Sequence, residues 1–202
     1  EGKRVNYIES VGRKQNLDFS SLQLQYAFID QLSQEKNCLA VQKTFEQNIN
    51  NLESTRIRLE NFNRAATLNK KEFDILKNEY LLAQIRYWLL AERTRELCGA
   101  DIVNILYFFS DEEESHDCEK QAFVLTYLKK KFKDKLLIFS FDSQFEAEPM
   151  IPLLKKTYNV SIYPTIVIGG KPYAKFQDKN SILRDICKYY KEKTDGCTEV
   201  SK

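Results

Sequence analysis

Ile105-Leu-Tyr-Phe-Phe-Ser110 leading to Ser115-His116-Asp117-Cys118, and Val160-Ser-Ile-Tyr163-Pro164-Thr165-Ile-Val-Ile-Gly-Gly170, are the segments whose reading decides the fold. The first is an unbroken apolar run closed by polar residues, the pattern of a buried strand. The helical spacing that follows begins near Asp117, so the strand delivers a thiol to a helix start. The second opens on a proline, continues as a short apolar run and ends on Gly169-Gly170, a hairpin-turn signal.

Working outward, residues from Asp101 onward alternate between two kinds of pattern. Strand-like runs cover Ile102–Phe109, Leu136–Phe141, Thr165–Ile168 and Pro172–Phe176. Helix-like runs cover Asp117–Phe132, Met150–Tyr158 and Asn180–Tyr190. The order is βαβαββα, which predicts a mixed sheet covered by helices. Pro172 suits an edge strand, where a missing N–H costs no ladder bond.

The preceding half reads differently. Residues 16–98 hold no proline and are helical in pattern throughout. One segment starts at Asp18, an N-cap type, and runs through Leu22, Tyr26, Ile29 and Leu32. A second spans Asn37 to Ala66, with Cys38, Val41, Phe45, Ile49, Leu52, Leu59 and Phe62 as its apolar positions. A third runs from Asn69 to Leu97, with Phe73, Leu76, Tyr80, Ala83, Tyr87 and Leu90 alternating by three and four, a helical seam. Asn69 with Glu72 resembles a capping box. The last two segments then form a hairpin turning near Leu68, each arm roughly 40 Å at 1.5 Å per residue. The fold class expected is α+β in two parts. Residues 1–98 form a helical, coiled-coil-like hairpin domain of about three helices, 101–192 a βαβαββα domain, and 193–202 a tail.

The five cysteines fit this layout. In a hairpin turning near Leu68, Cys38 and Cys98 lie symmetrically about the turn and are expected to pair, the alternative being two unrelated buried thiols. Cys187 and Cys197 flank the end of the last helix, and Gly196 would let the tail fold back into a second bridge. Cys118 is left over, a free reactive thiol or one lacking its partner. Structural disulfides imply an oxidising, extracytoplasmic compartment.

Charge and length exclude other classes. The net charge is +2, from 31 basic and 29 acidic residues dispersed along the 202, so no nucleic-acid partner is expected. No apolar run approaches the ~20 residues of a membrane span. The chain opens on Glu1 without methionine, so either an upstream signal or anchor segment was removed or the stretch was simply cut there by design, and a tethered precursor is the expectation.

The strand–helix delivery of Cys118, the Tyr163-Pro164-Thr165 segment, and the order of elements over 101–192 together resemble the thioredoxin-like superfamily. The first strand and helix that many members carry are missing from this stretch. Residues 1–97 resemble no family that we can name. The resemblance implies thiol–disulfide exchange on protein disulfides, with a C-x-x-C motif at the helix start. Here Ser115 occupies the attacking position and Cys118 the resolving one, with His116 and Asp117 as the tuning dipeptide between them. A shifted register, with Cys118 attacking and Gln121 second, is the alternative. Serine matches cysteine in size and lacks its nucleophilicity, so a natural or engineered inactive form is implied. Tyr163, Pro164 and Thr165 would be the cis-proline segment lining the substrate groove, with the Tyr163 backbone open to a substrate strand.

Around the motif, Asp111, Glu112, Glu113, Glu114, Asp117 and Glu119 disfavour a thiolate and favour basic substrates, or form a solvated loop. His116, the only histidine, is of the type that changes charge near neutrality and would modulate Cys118, or would be an exposed loop residue. No metal site is expected, since His116, Cys118 and these carboxylates lack ligand spacing, and no cofactor is expected. The partners implied are protein thiol or disulfide substrates and a redox partner protein. The apolar face around Leu81, Leu82, Ile85, Trp88 and Leu89 would allow a homodimer through the hairpin, or would pack on the segment beginning at Asp18. The rival function is a redox-silent binding or scaffold module that uses the same groove and the hairpin to hold a partner.

Overall fold

The apolar run 103–109 is one of the two inner strands of a four-stranded mixed sheet in the structure, a computed structural model. It describes residues 24, 27, 28, 30, 31, 37–64, 70–110, 116–145, 148–192 and 194–200. The expected start at Asp18, the positions Leu22, Tyr26, Ile29 and Leu32, the turn near Leu68, Asn69 and Ser115 lie outside them.

Two compact units divide the chain, Glu1–Thr44 and Phe45–Lys202. In the first, Leu24, Ala27, Phe28, Asp30 and Gln31 are helical, with Leu24 and Phe28 exposed. Helix α1, Cys38–Arg64, starts here. Asn37 caps it, its Oδ1 accepting from the Ala40 N–H at 3.3 Å.

In the second unit the elements follow as the rest of α1, α2 (Lys70–Cys98), β1 (Val103–Phe109), α3 (His116–Phe132), β2 (Leu136–Asp142), α4 (Met150–Thr157), β3 (Thr165–Ile168), β4 (Lys171–Ala174) and α5 (Lys179–Ile186). Short 3-10 turns cover Lys133–Lys135 and Asp195–Val200. The sheet order is β2-β1-β3-β4. β1 and β2 run parallel, whereas β3 is antiparallel to both β1 and β4. Gly169 and Gly170 make the β3–β4 turn at φ +56 and +80, left-handed values that side chains resist. A Cβ on Gly169 would also come within 2.2 Å of the Tyr189 ring.

Alternation along β1 sends side chains to two cores. Leu106 and Phe108 face one, with Phe139 and Phe141 of β2, Leu81, Ile85, Trp88 and Ala91 of α2, and Ile151 and Leu154 of α4. Val103, Ile105 and Tyr107 face the other, with Leu125, Leu128 and Phe132 of α3 and Ile182, Leu183 and Ile186 of α5. The result is a helix–sheet–helix sandwich.

The boundary expected between residues 98 and 101 therefore falls inside one unit. Of the apolar face named above, Leu81, Ile85 and Trp88 are buried in the core shared with the sheet, Leu82 is half-buried and Leu89 is exposed. The other side of α2 meets α1. Phe45 stacks on Tyr87 with ring centroids 4.7 Å apart, and Arg58 pairs with Glu79. Partners descend along α2 as residues ascend along α1, so these arms run antiparallel.

β2 is an edge strand, and α2 closes part of that edge with one side chain. The Gln84 amide donates to the Ser140 carbonyl at 3.0 Å and accepts from the Ser140 N–H at 2.8 Å. Gln84 thus bonds the strand as a neighbouring backbone would.

α5 begins on Asp178, whose carboxylate accepts from the Asn180 and Ser181 N–H groups at 2.8 and 3.1 Å. The Ser181 side chain, its largest influence, then the backbone bonds, hold the Asp178 carboxyl below its ordinary range. Asp178→Ala is expected to cost about 1 kcal/mol in urea unfolding at neutral pH. A depressed folded-state pKa contributes stability above the unfolded value and loses it as pH falls through the folded value. The difference between Asp178→Ala and the unaltered chain should therefore shrink towards zero in strong acid. A gap that is constant with pH would count against the cap.

Candidate functional site

The chain leaves the sheet at Phe109 and re-enters the described residues at His116, the first residue of α3. Residues 111–115, which hold Ser115 and the acidic run, lie outside them. His116 and Asp117 are exposed, and Asp117 pairs with Lys120 at 3.1 Å. An exposed pair of this kind adds little stability.

Cys118 is the free cysteine, 5% exposed in the first turn of α3. Its carbonyl accepts a 2.7 Å hydrogen bond from the Tyr107 hydroxyl. Tyr107 belongs to β1, so the bond ties the thiol-bearing turn to the strand just before that strand ends. Tyr107→Phe should lower stability by about 1 kcal/mol and quicken the reaction of Cys118 with an aromatic disulfide reagent. Unchanged reactivity would mean that this bond does not hold the turn.

β3 reaches the same end of the sheet from the other direction. Thr165 pairs with Phe108, which brings Pro164 level with Phe109. The Tyr163–Pro164 peptide bond is cis. Pro164 and Thr165 are buried, Tyr163 is half-buried, and Ser161 and Ile162 are exposed. The Thr165 hydroxyl donates to the Ile162 carbonyl at 2.6 Å, closing a loop around Tyr163 and Pro164. Cys118 and the Tyr163–Thr165 segment, far apart in sequence, are therefore each tied to the same end of β1.

Gln121, the second position of the shifted register, is fully buried and engaged elsewhere. Its side chain accepts from the Gln177 N–H at 2.8 Å and donates to the Gln177 carbonyl at 3.3 Å. It fastens the segment after β4.

Cys187 and Cys197 are bridged, with Cα atoms 5.7 Å apart, and Cys38 and Cys98 are each disulfide-bonded. Among the described residues no group of three His, Cys, Asp or Glu side chains is arranged to hold a metal ion, and no helix is long and apolar enough to cross a membrane.

Several polar residues near this end carried no sequence signal. β2 ends beside β1, with Asp142 opposite Phe109 and the Ser143 N–H donating to the Phe109 carbonyl at 2.9 Å. Asp142 pairs with Lys77 of α2, whose ammonium also lies 5.1 Å from the Phe145 ring centroid. Lys155 of α4 donates to the Ser143 carbonyl at 3.1 Å and sits 5.5 Å from the Tyr163 ring centroid. Lysines are common and spaced without pattern in this chain, so only the folded arrangement singles these out.

No protein-family model and no curated protein matches the chain. Among solved structures it is similar to a malarial protein at 22% identity, over 44% of this chain and 97% of that one, with a TM-score of 0.34. It is also similar to chloroplastic thioredoxin z, at 17% identity over 49% of this chain and 88% of that one, TM-score 0.36. A third is the germline-specific thioredoxin Deadhead of Drosophila melanogaster, at 17% identity over 52% and 92%, TM-score 0.34.

Proposed function

We propose that the chain is a thioredoxin-like thiol–disulfide exchange protein acting on polypeptide disulfides outside the cytoplasm, with Cys118 as its thiol and Ser115 at the attacking position. The carrying observation is the free thiol of Cys118 in the first turn of α3, tied by Tyr107 to the end of β1 where the Tyr163–Thr165 segment also lies.

The unpaired N–H groups of a helix start favour a thiolate. At 5% exposure, Cys118 suits the second step of exchange, attack on a mixed disulfide held by a residue further out. Ser115, three residues earlier, stands where that residue would be, and a hydroxyl does not exchange with disulfides. The Ser115 form thus keeps a resolving thiol without an attacking one. Tyr163, Pro164 and Thr165 line the groove in which a substrate segment pairs, and His116 and Asp117 tune the thiol. The partners are protein disulfides and a redox protein that restores the dithiol. The disulfide-bonded Cys38, Cys98, Cys187 and Cys197 fit an oxidising compartment.

The test is reduction of a protein disulfide by the chain and by Ser115→Cys. Turnover by the variant alone supports the reading. Turnover by neither overturns it and leaves a binding module.

A further inference from the structure

The inference rests on the groove reading above and concerns what that groove selects. Tyr163 precedes Pro164, and one charged side chain of α4 reaches it. Lys155 holds its Nζ 5.5 Å from the Tyr163 ring centroid and donates to the Ser143 carbonyl at 3.1 Å. A carbonyl on one side and an aromatic face on the other fix a side chain that would otherwise sweep through solvent. An ammonium carries three N–H donors, and the carbonyl takes one.

Of the described charged groups in this part of the fold, one couple is an ion pair and one carboxylate is engaged by backbone. Lys77 of α2 pairs with Asp142 at the end of β2. Glu148, buried before α4, accepts from the Met150 N–H at 3.2 Å. No carboxylate among the described residues pairs with Lys155. The Ser143 hydroxyl, in a residue 2% exposed, has no hydrogen-bond partner in the same turn. Ile162, 45% exposed, adds apolar surface one residue before Tyr163.

We propose that Lys155 is the specificity-determining residue of this groove, selecting extended polypeptide segments that carry an aspartate or glutamate where they pass Tyr163. A fixed, partly buried ammonium with no ion-pair partner among the described residues attracts a carboxylate more strongly than a mobile surface lysine does, and it repels a cationic side chain at the same place. Its companion contacts, the Tyr163 ring and Ile162, favour an apolar stem on that acidic residue.

The experiment compares two disulfide-containing test peptides that differ only in Asp or Lys at one position beside the cysteine. In the Ser115→Cys background, kcat/KM should favour the Asp peptide by about fivefold. Lys155→Gln should bring the ratio close to one, and Lys155→Glu should invert it. Far-ultraviolet circular dichroism would show that both variants fold. A ratio that neither variant moves overturns the proposal. If Ser115→Cys turns over neither peptide, the exchange reading fails by itself. Fluorescence anisotropy on the unaltered chain, with serine for the peptide cysteines, then decides about Lys155. Preferential Asp-peptide binding that Lys155→Glu abolishes supports the selection, and equal binding of both peptides, or of neither, overturns it.

Discussion

Replacing Ser115 by cysteine is expected to raise protein-disulfide turnover by on the order of 10³-fold. The introduced thiolate attacks one sulfur of a substrate disulfide, forming a mixed disulfide and releasing the other sulfur as a thiolate. The Cys118 thiolate then attacks the mixed disulfide, releases the second substrate thiol and leaves an intramolecular disulfide. A dithiol reductant returns both cysteines to thiols for the next cycle. In the unaltered chain only Cys118 is present, 5% exposed, so the first attack is obstructed and no second thiol completes the cycle. Ser115→Ala should behave as the unaltered chain does, because the hydroxyl takes no part. Cys118→Ala in the Ser115→Cys background should accumulate the mixed disulfide, visible on non-reducing gels. A gain below about tenfold for Ser115→Cys would place the block elsewhere and sink the assignment of position 115 as the attacking one.

Gln84→Leu should cost about 3 kcal/mol of stability, since it leaves the Ser140 N–H and carbonyl without partners at the edge of β2. Gln84 is 3% exposed and makes both bonds, at 3.0 and 2.8 Å. Leucine preserves much of the volume and offers neither donor nor acceptor. Edge strands with unpaired backbone groups are also templates for association, so the variant should show concentration-dependent mass by light scattering. Urea unfolding gives the stability loss directly. A shift under about 0.5 kcal/mol would show that water replaces the amide without penalty.

Gln84 also illustrates where reading the chain stops. It sits among Leu81, Ile85 and Trp88 at helical spacing, so the pattern marks a polar residue on an apolar face and nothing more. Its role depends on Ser140, 56 residues later, and on β2 having only one strand neighbour. Lys155 is legible as a helix residue, yet its nearness to Tyr163 follows from how α4 lies on the sheet. Boundaries show the same limit. The run Thr165–Ile168 has the bounds that its apolar residues suggest, whereas β4 covers Lys171–Ala174 instead of Pro172–Phe176. A four-residue β3 offers four partners, and the register from Ile168 with Lys171 exhausts them at Thr165 with Ala174. The last helix, expected to reach Tyr190, ends at Ile186. Beyond it Cys187 is bridged to Cys197, and the Tyr190 hydroxyl donates to the Lys135 carbonyl at 2.9 Å.

By itself the amino-acid order determined what is local. That comprises the periods of the strands and helices, the glycine turn, the thiol at a helix start and the Tyr163-Pro164-Thr165 segment. Only the tertiary structure decided which surfaces cover one another. Apolar residues on both sides of α2 announce two faces to be buried, and they do not say that α1 takes one and the sheet the other. Periodicity follows from backbone geometry over a few residues. The choice of neighbour follows from burying complementary surfaces that lie tens of residues apart, a quantity that no short window contains.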